Sequence, residues 1–185
     1  CDDKSKMTYV FESDVEFSEH YEQQLIDHIN QVTPFKAHKT TEKGHPDIKV
    51  LNNAGEHFYI EVKVQRRTFM TVEKNLPDSR LKPSETVALN LSDLNRYFEL
   101  AKEKNIHIFI FWVLLNRPCI LGNEASRFYY RLASELKPIW KSEGDKRKFR
   151  RKSGEGDEVD GKHLGVTVNY HFSLNELKIW NGKLD

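Results

Sequence analysis

His57-Phe-Tyr-Ile-Glu-Val-Lys-Val-Gln65 is the stretch on which the reading of this chain turns. Aromatic and β-branched residues dominate it, and a strand has a side-chain period of two. Glu61, Lys63 and Gln65 therefore share one face of a sheet, while Ile60, Val62 and Val64 share the other. Fourteen positions before Glu61, His45-Pro46-Asp47 forms a turn that leads into a second short strand. Two carboxylates and a lysine can then converge at one spot on a sheet. Such a set suits a hard divalent cation and a water activated beside a phosphate.

Outward from this stretch, the pattern predicts a mixed α/β domain. Upstream, Ser13 to Val32 reads as an amphipathic helix with Ser13 as N-cap, an apolar stripe of Val15, Leu25, Ile29 and Val32, and Pro34 beyond its end. Short strands are expected over 35–40, 47–51 and 58–65, with Asn52-Asn-Ala-Gly55 as a hairpin connection. Residues 66–85 read as a long loop. Ser92 caps a predicted helix over 93–104, carrying Leu94, Tyr97, Phe98 and Ala101 on one side. Ile106 to Leu115 is apolar on both faces apart from His107, as a central covered strand should be. A third helix is predicted over 123–137, stopped by Pro138. Residues 141–162 read as a charged, solvated loop. A strand over 164–172 and a short helix capped by Ser173 complete the chain.

Bulk properties narrow the classes. The chain has 185 residues, 38 % hydrophobic and 31 % charged, with a formal net charge of +1. One domain, 7–185, is expected, with Met7 as one native start. A near-neutral charge means that any basic footprint is local. Cys1 and Cys119 form no metal motif and suit a reducing compartment without a disulfide framework, so a cytoplasmic location is expected. The longest apolar run, 106–115, is about half the length of a membrane helix, and no hydrophobic signal segment is present. Walker, GxSxG, GxGxxG and zinc spacings are all absent.

The element order, with Pro46-Asp47 and Glu61-Val62-Lys63 on adjacent predicted strands, resembles the PD-(D/E)xK nuclease superfamily. The resemblance implies a restriction-endonuclease-like αβββαβ core over 13–115, a mixed central sheet flanked by helices, and a small C-terminal α+β extension over 116–185. It implies a Mg²⁺-dependent DNA phosphodiesterase of restriction, phage-defence or repair type, with Mn²⁺ as substitute metal and endonucleolytic action expected. Asp47, Glu61 and the main-chain carbonyl of Val62 would hold the metal. Lys63 would orient the attacking water and offset transition-state charge; burial beside a metal could lower its pKa enough to share the proton. Glu22 falls in the apolar stripe of the first helix, where the superfamily often places a further metal-site glutamate; Glu19 competes with it.

Gln65 extends the Glu61/Lys63 face and is a candidate for phosphate or base contact. His45 stands beside the Pro46-Asp47 turn as a further substrate contact. Arg66 and Arg67 follow the strand and could grip phosphates, as could the basic run that includes Lys146, Arg147 and Lys148. DNA is the expected partner, with RNA left open and a homodimer expected from relatives that cut both strands. The competing reading is a non-catalytic nucleic-acid-binding or interaction module on the same fold.

Overall fold

The computed structural model describes residues 11–150, 158–159, 162–163 and 167–183. Its first helix, α1 (Phe11–Val32), starts two residues before the expected cap, so Ser13 lies inside the helix. Three strands follow: β1 (Lys36–Lys39), β2 (Ile48–Leu51) and β3 (His57–Gln65). The β2–β3 connection is built as the sequence suggests. Asn52 Oδ1 accepts hydrogen bonds from the N–H groups of Ala54 and Glu56, both at 2.9 Å, and Gly55 takes a φ of 82° that an L side chain disfavours. This fixes Ile48 opposite Ile60 and Val50 opposite Phe58.

Residues 66–85 are more ordered than a plain loop. They contain α2 (Val72–Asn75) and two 3-10 turns at Pro77–Ser79 and Pro83–Glu85. β4 (Thr86–Asn90) then runs directly into α3 (Leu91–Lys104), with Asn90 rather than Ser92 at the cap position. β5 (Ile108–Leu115) pairs parallel to β3, placing Glu61 beside Ile110 and Lys63 beside Trp112. A short helix, α4 (Pro118–Leu121), follows.

The helix expected over 123–137 is not formed. Its first part is β6 (Ser126–Leu132), paired antiparallel to β5, because Phe128-Tyr-Tyr130 supplies β-prone aromatic side chains to both sheet faces. The helix is α5 (Ala133–Glu143), and Pro138 lies inside it. Proline there removes one hydrogen bond, which costs about 3 kcal/mol in an unsupported helix. Burial of Ala133 and Leu136, with Ile139 and Trp140 packed against the same core, offsets that cost.

The charged stretch is also partly structured. Residues 141–143 belong to α5 and Gly144–Arg147 is a 3-10 turn. β7 (Lys148–Arg150) follows, then a small ribbon of β8 (Glu158–Val159) and β9 (Lys162–His163). β10 (Val168–Ser173) leads to a 3-10 turn at Leu174–Glu176, where Ser173 and Glu176 form the expected cap. β11 (Lys178–Ile179) ends the described elements. The expected residues 164–166 of that strand, and Arg151 and Lys152 of the basic run, lie outside the described residues.

The main sheet has the order β1-β2-β3-β5-β6-β11, with only β3 and β5 parallel. This mixed sheet flanked by helices meets the expected fold class and is consistent with a restriction-endonuclease-like fold. One face packs Ile48, Val50, Ile60, Val62, Phe111 and Val113 against Leu25, Ile26 and Ile29 of α1. The other packs Tyr59, Ile110, Trp112 and Leu114 against α3, α5 and a second sheet, β4-β10-β7. β5 is thus covered on both faces, which explains its unbroken apolar run.

Cys119 is disulfide-bonded, against the expectation of reduced cysteines. Among the described residues no helix is long and apolar enough to cross a membrane.

Candidate active site

The hairpin register decides the site. Ile48 faces Ile60, so one step further along the antiparallel pair Asp47 comes beside Glu61. Strand alternation turns Glu61 away from α1 and towards α3, whose Tyr97 reaches it, while Asp47, in the bend just before β2, also feels the charge of Glu22 on α1. Asp47 is tied to β3: its Oδ2 accepts the Val62 N–H at 2.8 Å, and its own carbonyl accepts the Thr40 N–H at 2.9 Å. Glu61 is 2 % exposed. Lys63 Nζ lies 2.6 Å from Glu61 Oε1, while the Tyr97 hydroxyl on α3 donates to Glu61 Oε2 at 2.6 Å. Both oxygens of this carboxylate are therefore oriented by protein groups.

The electrostatics agree with the distances. Burial pushes the Asp47 carboxyl up from 3.8 to about 7, and the negative charge of Glu61 adds to the rise, with a smaller push from Glu22. Lys63 and the Val62 N–H pull in the other direction. Burial works against the Lys63 ammonium, yet Glu61 and Asp47 outweigh it and hold its pKa above the ordinary lysine value. Held by these two carboxylates, Lys63 is a cation suited to orienting a water or stabilising an anion.

Glu22 is 9 % exposed, as a carboxylate in an apolar stripe requires a partner to be. Its Oε2 lies 3.3 Å from Lys39 Nζ on β1, and its Oε1 accepts from Ser18 at 3.1 Å. Glu19, the competitor, is more exposed and meets the same lysine at 3.7 Å. Among the described residues, no group of three or more histidine, cysteine or carboxylate side chains stands close enough to hold a metal ion.

A divalent cation nevertheless fits the donors present. Asp47 and Glu61 supply hard oxygens, and their mutual crowding, visible in the raised Asp47, is relieved by positive charge. Magnesium keeps several waters, so two carboxylates and a backbone oxygen suffice. Asp47, Glu61 and the Val62 carbonyl would hold it, with Glu22 at the margin.

The remaining candidates are placed differently. The Gln65 Oε1 accepts the Ala88 N–H at 3.2 Å, and Trp112 Nε1 donates to the Ala88 carbonyl at 3.0 Å. Gln65 thus docks β4 on the main sheet. His45 lies 3.4 Å from Lys104 Nζ, with its ring 5.3 Å from that of Tyr59. Arg66 stacks its guanidinium 4.1 Å from the Phe17 ring. The Arg67 carbonyl accepts from Arg117 at 2.7 Å. Lys146 is exposed, but Arg147 is buried and bound to Glu176 at 2.6 Å. Lys148 pairs with Asp145 at 2.5 Å. The basic run is therefore not a uniform cationic face.

Sequence reasoning missed three residues. Tyr97 appeared as one more apolar position of a helix. Lys39 sits on an edge strand of alternating charge. Arg117 gave no signal, yet it is 0 % exposed and has no carboxylate partner among the described residues. It donates to the carbonyls of Ser84, Thr86 and Arg67, and burial lowers it to about 10.

Comparison with known proteins adds little to this geometry. No family model matches the chain, and no curated protein does. Among solved structures, Hjc, a Holliday junction resolvase from Archaeoglobus fulgidus, is similar over 63 % of this chain and 78 % of its own, with 15 % identity and a TM-score of 0.40.

Proposed function

We propose that this protein is a metal-dependent nuclease that hydrolyses DNA phosphodiester bonds. The observation that carries the reading is the convergence of Asp47, Glu61 and Lys63 on adjacent strands, as the PD-(D/E)xK resemblance implies. Asp47, Glu61 and the Val62 carbonyl would hold Mg²⁺ or Mn²⁺, with Glu22, paired here with Lys39, as a further carboxylate nearby. A bound ion would supply charge neutralisation and an acidified water. Lys63, kept charged by Glu61, steadies the attacking water and the anionic phosphorus centre. The Glu61 carboxylate, held from both sides, loses little freedom when the site assembles. Restriction, phage defence and repair are the settings that suit such chemistry. Endonucleolytic action and a homodimer belong to the same proposal.

The test is cleavage of supercoiled and linear DNA with Mg²⁺ or Mn²⁺ by wild type, Asp47→Ala and Lys63→Ala. Metal-dependent cutting should fall at least about 10²-fold in both variants, the scale of losing a positioned electrostatic group. Equal cutting by all three would remove the assignment. One observation favours the competing reading of a non-catalytic nucleic-acid-binding module: both Glu61 oxygens already have protein partners. Salt-sensitive DNA binding unchanged in Lys63→Ala, with no cutting by wild type, would select that module.

A further inference from the structure

The nuclease reading gives the scissile phosphate Lys63 but names no group for the phosphates that flank it, and α3 carries a cation that no part of that reading uses. Arg96 lies one residue before Tyr97, the residue that holds Glu61. Its Nη2 donates to Asp93 Oδ1 at 2.7 Å, one helical turn earlier. The guanidinium sits 5.2 Å from the centre of the Tyr97 ring. Its stem runs beside the turn that leads into Pro46-Asp47: a methyl group placed on Gly44 would meet Arg96 Cδ at 3.8 Å. Asp93 also acts on Lys63, helping to keep it charged. Arg96 is thus bracketed by the groups that build the candidate site, on the rim between α3 and the 42–46 turn.

The asymmetry of the Asp93–Arg96 pair gives it a direction. The Asp93 side chain is 18 % exposed and that of Arg96 is 44 %. The carboxylate is the anchored partner and the guanidinium the outward one. Nη2 of Arg96 is taken up by Asp93 and the guanidinium also interacts with the Tyr97 hydroxyl, while its remaining edge faces solvent. A guanidinium held by Asp93 and Tyr97 is already oriented, and its solvent-facing edge is a planar donor suited to phosphate oxygens.

We infer that Arg96 binds a backbone phosphate of the nucleic acid next to the bond cleaved at Asp47, Glu61 and Lys63. The inference rests on the nuclease reading. Arg96 does not enter the chemical step; it sets where the strand lies relative to Glu61 and Lys63. Phosphate contacts position a duplex without reading its sequence, so the effect is uniform across sequences.

The experiment compares wild type, Arg96→Gln, Arg96→Lys and Lys178→Gln, the last being an equal charge change on the far edge strand β11. Binding of a short labelled DNA duplex is measured with Ca²⁺ in place of Mg²⁺, between about 50 and 200 mM salt. Cleavage is followed with Mg²⁺. Arg96→Gln should flatten the dependence of log affinity on log salt by about 0.9, the share of one phosphate. It should raise KM about tenfold and leave kcat within about threefold, as loss of uniform binding does. Arg96→Lys should restore the salt slope, and Lys178→Gln should leave slope and KM unchanged. A salt slope and KM in Arg96→Gln equal to wild type overturn the inference, as does an equal loss in Lys178→Gln. If that happens while Lys63→Ala still abolishes cutting, the nuclease reading stands alone. Wild type that neither binds nor cuts DNA ends both.

Discussion

Asp47 is the residue whose surroundings make the most direct demand on solution behaviour. Burial first, and Glu61 second, raise its carboxyl from 3.8 to about 7. The folded protein therefore binds this proton more tightly than the unfolded chain does. The stabilisation is complete below about pH 4 and is lost as pH rises through about 7. Above that, a charged carboxylate is held against Glu61. Asp47→Asn should therefore stabilise the metal-free protein at pH 8 by on the order of 1–3 kcal/mol, with the gain disappearing near pH 4. Thermal melts of both proteins across this range test it, and parallel curves would refute the assigned burial. Tyr97→Phe keeps the ring in the core but frees Glu61 Oε2. It should lower cleavage about tenfold and destabilise the protein by about 1–3 kcal/mol, because a buried carboxylate oxygen loses its donor. The three central residues were legible because a strand's period of two and a hairpin's register can be read from local sequence. Tyr97, Lys39 and Arg117 were not, because each acts through a partner brought up by tertiary packing.

Among the elements, the β2–β3 hairpin carries the site and α1 carries its floor. Asn52→Ala removes the acceptor of two backbone N–H groups and should destabilise the protein by about 1–2 kcal/mol. Faster amide exchange over 48–60 would report it, and unchanged exchange would count against this turn as the register lock. Ile29 is fully buried against the sheet, so Ile29→Ala should cost about 2–5 kcal/mol in a denaturant titration. These elements followed from the sequence because their patterns are periodic: a stripe for the helix and alternation for the strands. β6 did not, since Phe128-Tyr-Tyr130 is apolar at consecutive positions and suits either period. Pro138 then misled as a helix stop. The second sheet escaped notice for another reason. β4, β7 and β10 are short, and β4 and β10 meet across some eighty residues of chain, a pairing that no local window contains.

At the scale of the whole molecule, two sheets must be held together so that α3 can present Tyr97 to β3. Gln65 and Trp112 clamp the Ala88 peptide from the main sheet. Arg117 binds three carbonyls in the segments that enter β4. Arg117→Met would leave those carbonyls without their donor. It should destabilise the protein by on the order of 3 kcal/mol and expose 66–86 to limited proteolysis before global unfolding. Intact resistance of that segment would show that the clamp at Ala88 suffices.

The far edge of the main sheet has a consequence of its own. β11 covers β6 with only Lys178 and Ile179, and Trp180 then packs its ring against Phe128, Phe111 and His28. The Gly182 carbonyl lies 2.8 Å from His28 Nε2, fastening this strap to α1. Stripping 178–183 would uncover an aromatic strand whose backbone donors and acceptors invite another chain to pair with it. Whether the protein stays in solution or forms sheet-stacked aggregates thus rests on a cover six residues long, at the side of the molecule opposite β1.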